Sequence, residues 1–251
     1  MTPLLSVRGL VKRYGALLVT DAVDLDIPAG EIHAVIGPNG AGKTTLINQV
    51  SGEVKCDAGR IILCGRDATH WPVAARAQAG LGRSYQITSI ISEFSVLENV
   101  LLAVQAVRGH NFHFWRPVVR TPALVDAADR FLALAGLLEV RNSTAGLLSY
   151  GQQRQLELAM TLAIEPKVLL LDEPMAGLGL TETQQMTEVL KSLRGQYAML
   201  LVEHDMRAVF ALADRLSVLV YGKVVFCGNP AEVRESRLVR EAYLGDEEIP
   251  A

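Results

Sequence analysis

The stretch "IHAVIGPNGAGKTTLINQV", residues 32–50, leaves few folds open to the chain that carries it. Ile32, Ala34, Val35 and Ile36 make a short apolar run, as expected for a strand of a buried parallel sheet. Residues 37–44 then spell G-x-x-x-x-G-K-T, and a helix burying Leu46, Ile47 and Val50 follows until Gly52 stops it. Glycines at this spacing let the backbone curl until successive N–H groups point inward at anionic oxygens, and the helix dipole adds positive potential at the same place. The residues of this cradle are Gly37, Pro38, Asn39, Gly40, Ala41, Gly42, Lys43, Thr44 and Thr45. Lys43 can reach the β- and γ-phosphates of a nucleotide, and the Thr44 hydroxyl can ligate Mg²⁺. A Gly-rich turn is the bland alternative, but a chance match in a chain this long is on the order of one in a hundred. The strand–loop–helix context lowers it further.

The matching carboxylates stand in "KVLLLDEPMAG", residues 167–177. Val168 to Leu171 is a continuous aliphatic run that ends abruptly in Asp172 and Glu173. Two carboxylates at the C-terminal edge of a buried strand lie where open α/β sheets bind ligands. Asp172 would hold Mg²⁺ through water, and Glu173 would polarise the water that attacks the γ-phosphate. A polar strand exit capped by Pro174 is the alternative for this segment taken alone. "YAMLLVEHDM" repeats the pattern: an apolar strand ends in Glu203 and His204, which puts His204 at the sheet edge where the γ-phosphate is expected.

A second helix start has the same polarity. In "LLSYGQQRQLELAM", residues 147–160, Ser149 and Gln152 form a capping box, and the helix beyond is expected to bury Leu156, Met160 and Ala163. Together these segments resemble the nucleotide-binding subunits of ABC transporters. The matches run in family order over nearly the whole chain: Tyr14, the loop at 37–44, Gln86 in "GRSYQ", "LSYGQ" at 148–152, "LLLDEP" at 169–174 and His204. "LSYGQ" is the most specific of them, because other P-loop NTPases lack it. A finer match is to the branched-chain amino acid uptake type, through "RSYQITSI", "FSVLENVLLAVQA", "LSYGQQRQLELAMTLA", "VEHDM" and the closing "AYLG". ATPases of systems importing urea, amides or other small polar solutes are similar.

The resemblance implies roles for particular residues. Tyr14, on its own an aromatic at a strand end, would stack on adenine; Gln86 would contact Mg²⁺ and the attacking water. It also implies that the two phosphate-facing helix starts lie far apart within one subunit. Two subunits arranged head to tail would then clamp each ATP between the loop at 37–44 of one and Ser149, Gly151 and Gln152 of the other. Hydrolysis would remove the γ-phosphate contact, so that closing and opening of the dimer become a power stroke. Two departures stand out. Tyr150 occupies a position where the superfamily usually has glycine; its side chain can point away, leaving Ser149 and the Gly151 N–H free. Gly179 stands where many members carry the aspartate of the D-loop.

The expected fold is α/β: a P-loop NTPase (RecA-like) parallel-sheet core with a small antiparallel β subdomain and an α-helical subdomain. One ATPase domain spans 1–251, with 1–86 and 166–251 as core and β layer. Helical patterns in "SVLENVLLAVQAV", "PALVDAADRFLALAGLL" and "QRQLELAMTLA" place the helical subdomain at 87–165. "YGKVVFCGNPAEV" reads as turn, strand and helix, and "GDEEIPA" as a solvated tail.

Composition narrows the partners. Of 251 residues, 50% are hydrophobic, yet no uncharged apolar run nears the roughly 18 residues of a membrane span. "MTPLLSVRGLVKRYG" has charges among its apolar residues and no signal-peptide core, so a soluble intracellular chain docking on a membrane protein is expected. A formal net charge of −3 argues against nucleic acid as partner. Cys56, Cys64 and Cys227 form no C-x-x-C pair, and His110 and His113 in "GHNFHFWRP" have no partner ligands nearby. That segment reads as a packed loop or as part of a membrane-subunit contact. The expected protein is the ATP-binding subunit of an importer at the cytoplasmic face of the cell membrane. Its partners are a second ATPase subunit, identical or related, integral permease subunits and, indirectly, an external solute-binding protein. A soluble ABC ATPase outside transport is the alternative, although such proteins usually carry two ATPase units or long coiled coils. A GTPase is disfavoured, because the N-K-x-D base-reading motif is missing.

Overall fold

The computed structural model describes residues 2–84, 90–108, 121–237 and 239. The chain folds as two compact units, the first comprising Met1–Arg83, Lys167–Glu173 and Leu193–Ala251, the second Ser84–Pro166 and Pro174–Ser192.

The strands of the first unit are β1 (Leu5–Tyr14), β2 (Leu17–Ile27), β3 (Ile32–Ile36), β4 (Ala58–Leu63), β5 (Arg66–Asp67), β6 (Leu81–Arg83), β7 (Val168–Asp172), β8 (Ala198–Val202), β9 (Arg215–Val220) and β10 (Lys223–Gly228). They form two sheets. A four-stranded antiparallel sheet has the order β2-β1-β4-β5, and a six-stranded sheet has the order β10-β9-β3-β8-β7-β6. In the larger sheet every pairing is parallel except that of β10 with β9. All five residues of β3, β7 and β8 are buried, which explains their near-continuous apolar character: strands covered on both faces have no solvent side to alternate toward. His33 is the exception in β3. Its ring is satisfied by Ser217 Oγ at 2.8 Å and by Glu31 Oε1 at 3.2 Å.

Register decides where the functional loops emerge. Val35 pairs with Val202, and Val202 with Asp172, so the C-terminal ends of β3, β8 and β7 lie level. The loops that follow those three strands therefore open on one edge of the sheet. Helix α1 (Lys43–Ser51) buries Leu46, Ile47 and Val50 against the core, and Gly52 ends it at φ 89° with its N–H on the Asn48 and Gln49 carbonyls. Each fully buried aliphatic side chain of this kind contributes about 1.5–3 kcal/mol. The short α2 (Val73–Gln78) follows β5, while α7 (Met206–Leu212) and α8 (Pro230–Glu235) belong to the C-terminal stretch. The turn, strand and helix read in "YGKVVFCGNPAEV" are β10 and α8, the latter with Asn229 and Glu232 as capping box.

The second unit is helical: α3 (Val96–Arg108), α4 (Pro122–Leu134), α5 (Tyr150–Ala163) and α6 (Leu180–Ser192). Val96, Val100 and Val104 of α3 recur every four residues and are fully buried, as are Ala128 and Leu132 of α4 and Leu156, Ala159 and Leu162 of α5. Met160, expected in the core, is only half-buried, because its position turns it to the flank of the Leu156–Ala159–Leu162 stripe. Buried Asn99 ties down the segment leading into α3: its side chain accepts from Ile91 N at 2.8 Å and donates to Ile91 O and Ser95 O. Among the described residues no helix is long and apolar enough to cross a membrane.

Candidate active site

The loop between β3 and α1 and the carboxylate after β7 line a cavity of about 210 Å³. Asn39, Gly40, Ala41, Gly42, Lys43, Thr44 and Thr45 form it with Val19 and Glu173. Two of the glycines are required by contact. A Cβ on Gly37 would sit 2.1 Å from the Leu219 carbonyl oxygen, and one on Gly42 would sit 2.4 Å from that of Val19. Gly42 also has φ 105°, a conformation that glycine alone adopts cheaply. The start of α1 has no side-chain cap and no acidic residue in its first turn, so its N–H groups and dipole face the cavity with no competing anion of their own.

Lys43 is buried and folds back across the loop, where its ammonium donates to Gly37 O at 2.6 Å and Pro38 O at 3.1 Å. Burial lowers its pKa, opposed by the charges of Glu173 and Asp172. At the end of β7, Asp172 is almost fully buried, and burial is the largest influence raising its pKa; Arg83 opposes that, while Glu173 and Glu53 add to it. Arg83 lies 3.5 Å from Asp172 Oδ2 and 3.0 Å from Glu53, and also donates to Ser51 and Asn48. Asp172 Oδ1 is buried without a hydrogen-bond partner among the described residues. An orphaned carboxylate oxygen close to the glycine-rich β3–α1 loop fits a hydrated divalent cation, which would supply the missing contact.

Glu173 departs from strand geometry: its φ is 50°, in the left-handed region, although its N–H still bonds Val202 O at 2.8 Å. A non-glycine residue held there costs of order 1 kcal/mol or more, and here the bend turns the carboxylate into the cavity. His204 Nδ1 stands 4.0 Å from Glu173 Oε1, its ring largely exposed. Its backbone is fixed by Glu203, fully buried after β8, whose carboxylate accepts from His204 N at 2.9 Å and Asp205 N at 3.4 Å. Asp205 then caps α7 by accepting from Arg207 N and Ala208 N. Tyr14 lies at the end of β1, half-exposed and outside the cavity lining, with the Lys12 ammonium 5.5 Å from its ring centre. Gln86 lies outside the described residues, as do His110 and His113 and the closing "AYLG".

The second helix start belongs to the other unit. At α5 the expected capping box is present: Gln152 N donates to Ser149 Oγ at 3.2 Å, and Ser149 N to Gln152 Oε1 at 3.1 Å. The Tyr150 ring lies against Gly177 and beside Arg154, whose Nε donates to the phenol oxygen at 3.1 Å. Ser149 Oγ and the Gly151 N–H are nonetheless engaged. Both donate to Glu182 Oε1, at 3.0 and 3.1 Å. Sequence reasoning left out Glu182 and Arg83. The first had a local signal, a glutamate three residues after Gly179 as in a capping box; the second had none.

The arrangement can bind a polyphosphate and a divalent cation and present a carboxylate to water. The chain also matches the family model described as "ABC transporter" over residues 20–176, and that described as "Branched-chain amino acid ATP-binding cassette transporter" over residues 223–249. It is 39% identical to the high-affinity branched-chain amino acid transport ATP-binding protein LivG of Salmonella typhimurium, over 97% of this chain and 98% of LivG. To the corresponding BraF of Pseudomonas aeruginosa it is 36% identical, again over 97% and 98%. A lipopolysaccharide export ATP-binding protein, LptB of Acidithiobacillus ferridurans, is 33% identical over 98% of this chain and 99% of LptB. Among solved structures, the ADP conformation of an ATP-binding cassette of an ABC transporter superposes with a TM-score of 0.85 at 27% identity, covering 98% of this chain and all of the other. A nucleotide-free cassette gives 0.83, also at 27% identity, covering 97% of this chain and all of the other.

Proposed function

The chain belongs to the ABC transporter family of ATP-binding subunits, in its branched-chain amino acid uptake type, and we propose that it hydrolyses ATP to drive import of branched-chain amino acids. It is an ATPase by family, with nucleotide-free and ADP-conformation cassettes as its structural relatives. The observation that carries the reading of the site is the cavity at the β3–α1 loop with Glu173 in its wall.

In this reading the N–H groups from Gly40 to Thr45 and the Lys43 ammonium bind the β- and γ-phosphates. Lys43 leaves the loop carbonyls it now holds and exchanges them for phosphate oxygens of greater charge. Thr44 and, through water, Asp172 hold Mg²⁺, which when bound neutralises developing charge on the phosphate oxygens. Glu173 accepts the proton of the attacking water at a carboxylate oxygen, and His204 orients near the same point. Gln86 joins them and Tyr14 stacks on the adenine, as the family resemblance implies. The loop at 37–44 and the Ser149 helix start belong to different units. Head-to-tail pairing with a second ATPase subunit supplies Ser149, Gly151 and Gln152 to each nucleotide. Permease subunits then couple closure and opening to transport at the cytoplasmic membrane face, and an external binding protein delivers the solute. The matches to LivG and BraF, together with the C-terminal match at residues 223–249, support the choice of solute.

The test is purification of the tagged chain from detergent-extracted membranes, followed by reconstitution of what accompanies it. Permease subunits and ATP-driven leucine, isoleucine or valine uptake are expected. Recovery with soluble partners only, or uptake indifferent to those amino acids, would overturn the proposal.

A further inference from the structure

One carboxylate caps two helices in the second unit. Glu182 is the third residue of α6, and its Oε2 accepts from the Gly179 N–H at 3.3 Å, at the start of that helix. Its Oε1 accepts from Ser149 Oγ and from the Gly151 N–H, at the start of α5, 31 to 33 residues away in sequence. The fit at Gly151 is close: a Cβ there would lie 2.6 Å from the Glu182 carboxyl carbon. Gly179, Ser149 and Gly151 together hold the Glu182 carboxyl below its ordinary pKa, in the order given. The group on the α5 helix start is thus an anion of the chain's own, held by the same serine hydroxyl and N–H that the proposed function assigns to a γ-phosphate. Among the described residues the helix start at α1 has no side-chain cap.

We propose that Glu182 is a positioning residue that occupies the γ-phosphate subsite of α5 in the open subunit, so that ATP-driven closure requires exchange of its carboxylate for phosphate. The inference rests on the head-to-tail reading above. While Glu182 is seated, Ser149 and Gly151 keep the orientation that phosphate needs, and the α5 start is bound to the residue-179 turn. Arrival of a γ-phosphate brings more negative charge to the same donors, repels Glu182, and releases the Gly179 contact with it. The exchange links nucleotide capture to the turn where this chain has Gly179 in place of the more usual aspartate. A seated fraction of about nine-tenths lowers the apparent affinity of the subsite roughly tenfold.

The experiment uses the full chain carrying Glu173→Gln, to block hydrolysis, with its partner subunit if the two are distinct. ATP–Mg²⁺-driven association is followed by sedimentation, alone and with Glu182→Gln, Glu182→Asp or Ser149→Ala added. Glu182→Gln is expected to lower the ATP concentration for half-maximal association roughly tenfold while lowering the unfolding midpoint. Glu182→Asp, too short to reach both helices but still anionic, should fall between it and the parent. A merely structural glutamate predicts the opposite sign, with association weakened along with stability. Association unchanged or weakened in Glu182→Gln, while Ser149→Ala weakens it, overturns this inference alone. Association indifferent to Ser149→Ala overturns the head-to-tail reading and the inference with it.

Discussion

Arg76 is nearly fully buried, and among the described residues no carboxylate pairs with it. Instead its guanidinium donates four hydrogen bonds to carbonyls: Nη1 to Gln49 O at 2.7 Å and Val50 O at 2.6 Å, Nε to Trp71 O at 3.1 Å, and Nη2 to Thr69 O at 3.1 Å. Gln49 and Val50 are in the last turn of α1, so a buried cation sits on the negative end of the helix whose positive end faces the cavity. Burial lowers the Arg76 pKa, which states the same fact electrostatically: the charge is desolvated, and carbonyl dipoles must compensate it. Arg76→Met keeps most of the aliphatic stem but removes four hydrogen bonds, stripping the Val50, Thr69 and Trp71 carbonyls of this donor while that of Gln49 retains the Gly52 N–H. At about 1 kcal/mol per bond, with a further penalty for carbonyls left dry, the loss is about 3–5 kcal/mol, a large part of a typical domain's 5–15 kcal/mol. For a chain of this size that is a fall of about 10 °C in the unfolding midpoint. Thermal and urea unfolding followed through tryptophan fluorescence measure it. Arg76→Lys, with one donor head in place of the planar fork, should recover only part of the loss. A loss below about 1 kcal/mol for Arg76→Met would show that the carbonyls find other partners and that the end of α1 does not depend on this residue.

Two further outcomes follow from the site and a third from β10. Glu173→Gln should keep ATP binding within a few-fold while turnover in the assembled transporter falls by 10²-fold or more; near-normal turnover would remove Glu173 as the base. Gly42→Ala, with its Cβ 2.4 Å from Val19 O, should abolish binding of a fluorescent ATP analogue, and retention of affinity within threefold would count against a rigid cradle. Cys227 is the odd thiol: the His33 ring chiefly, with Ser217 and the Arg215 guanidinium at 3.3 Å, outweighs burial and pulls it down to about 6, whereas burial pushes Cys64 up. Alkylation by iodoacetamide, read peptide by peptide from pH 5 to 8, should therefore rise through about pH 6 at Cys227 and stay low at Cys64; coincident profiles would contradict the shift.

Legibility followed locality. The loop at 37–44, the aliphatic strand ending in Asp172 and Glu173, and the Ser149–Gln152 box were readable because each is a pattern of residues within a few positions of one another. The residues of β7 and β8 announced burial by their continuous aliphatic runs, β3 by an apolar run interrupted only at His33, and α3, α4 and α5 by their spacing. The three-residue β6 is too short to carry a period, and α6 presents only Met186, Thr187 and Leu190 to the interior. Both escaped the reading for that reason.

By itself, then, the order of residues determined that a strand, a glycine-rich turn and a helix would follow one another over residues 32–51, and that carboxylates would stand at a buried strand's end. Backbone geometry and burial over short windows are enough to dictate those features. Only tertiary packing decided that Arg83 would stand beside Asp172, that Arg76 would close the far end of α1, and that Glu182 would sit on Ser149 and Gly151. Each of those contacts joins groups 26 or more positions apart. The strength of such a contact depends on desolvation and on the approach of separate elements, neither of which is encoded in any local run of side chains.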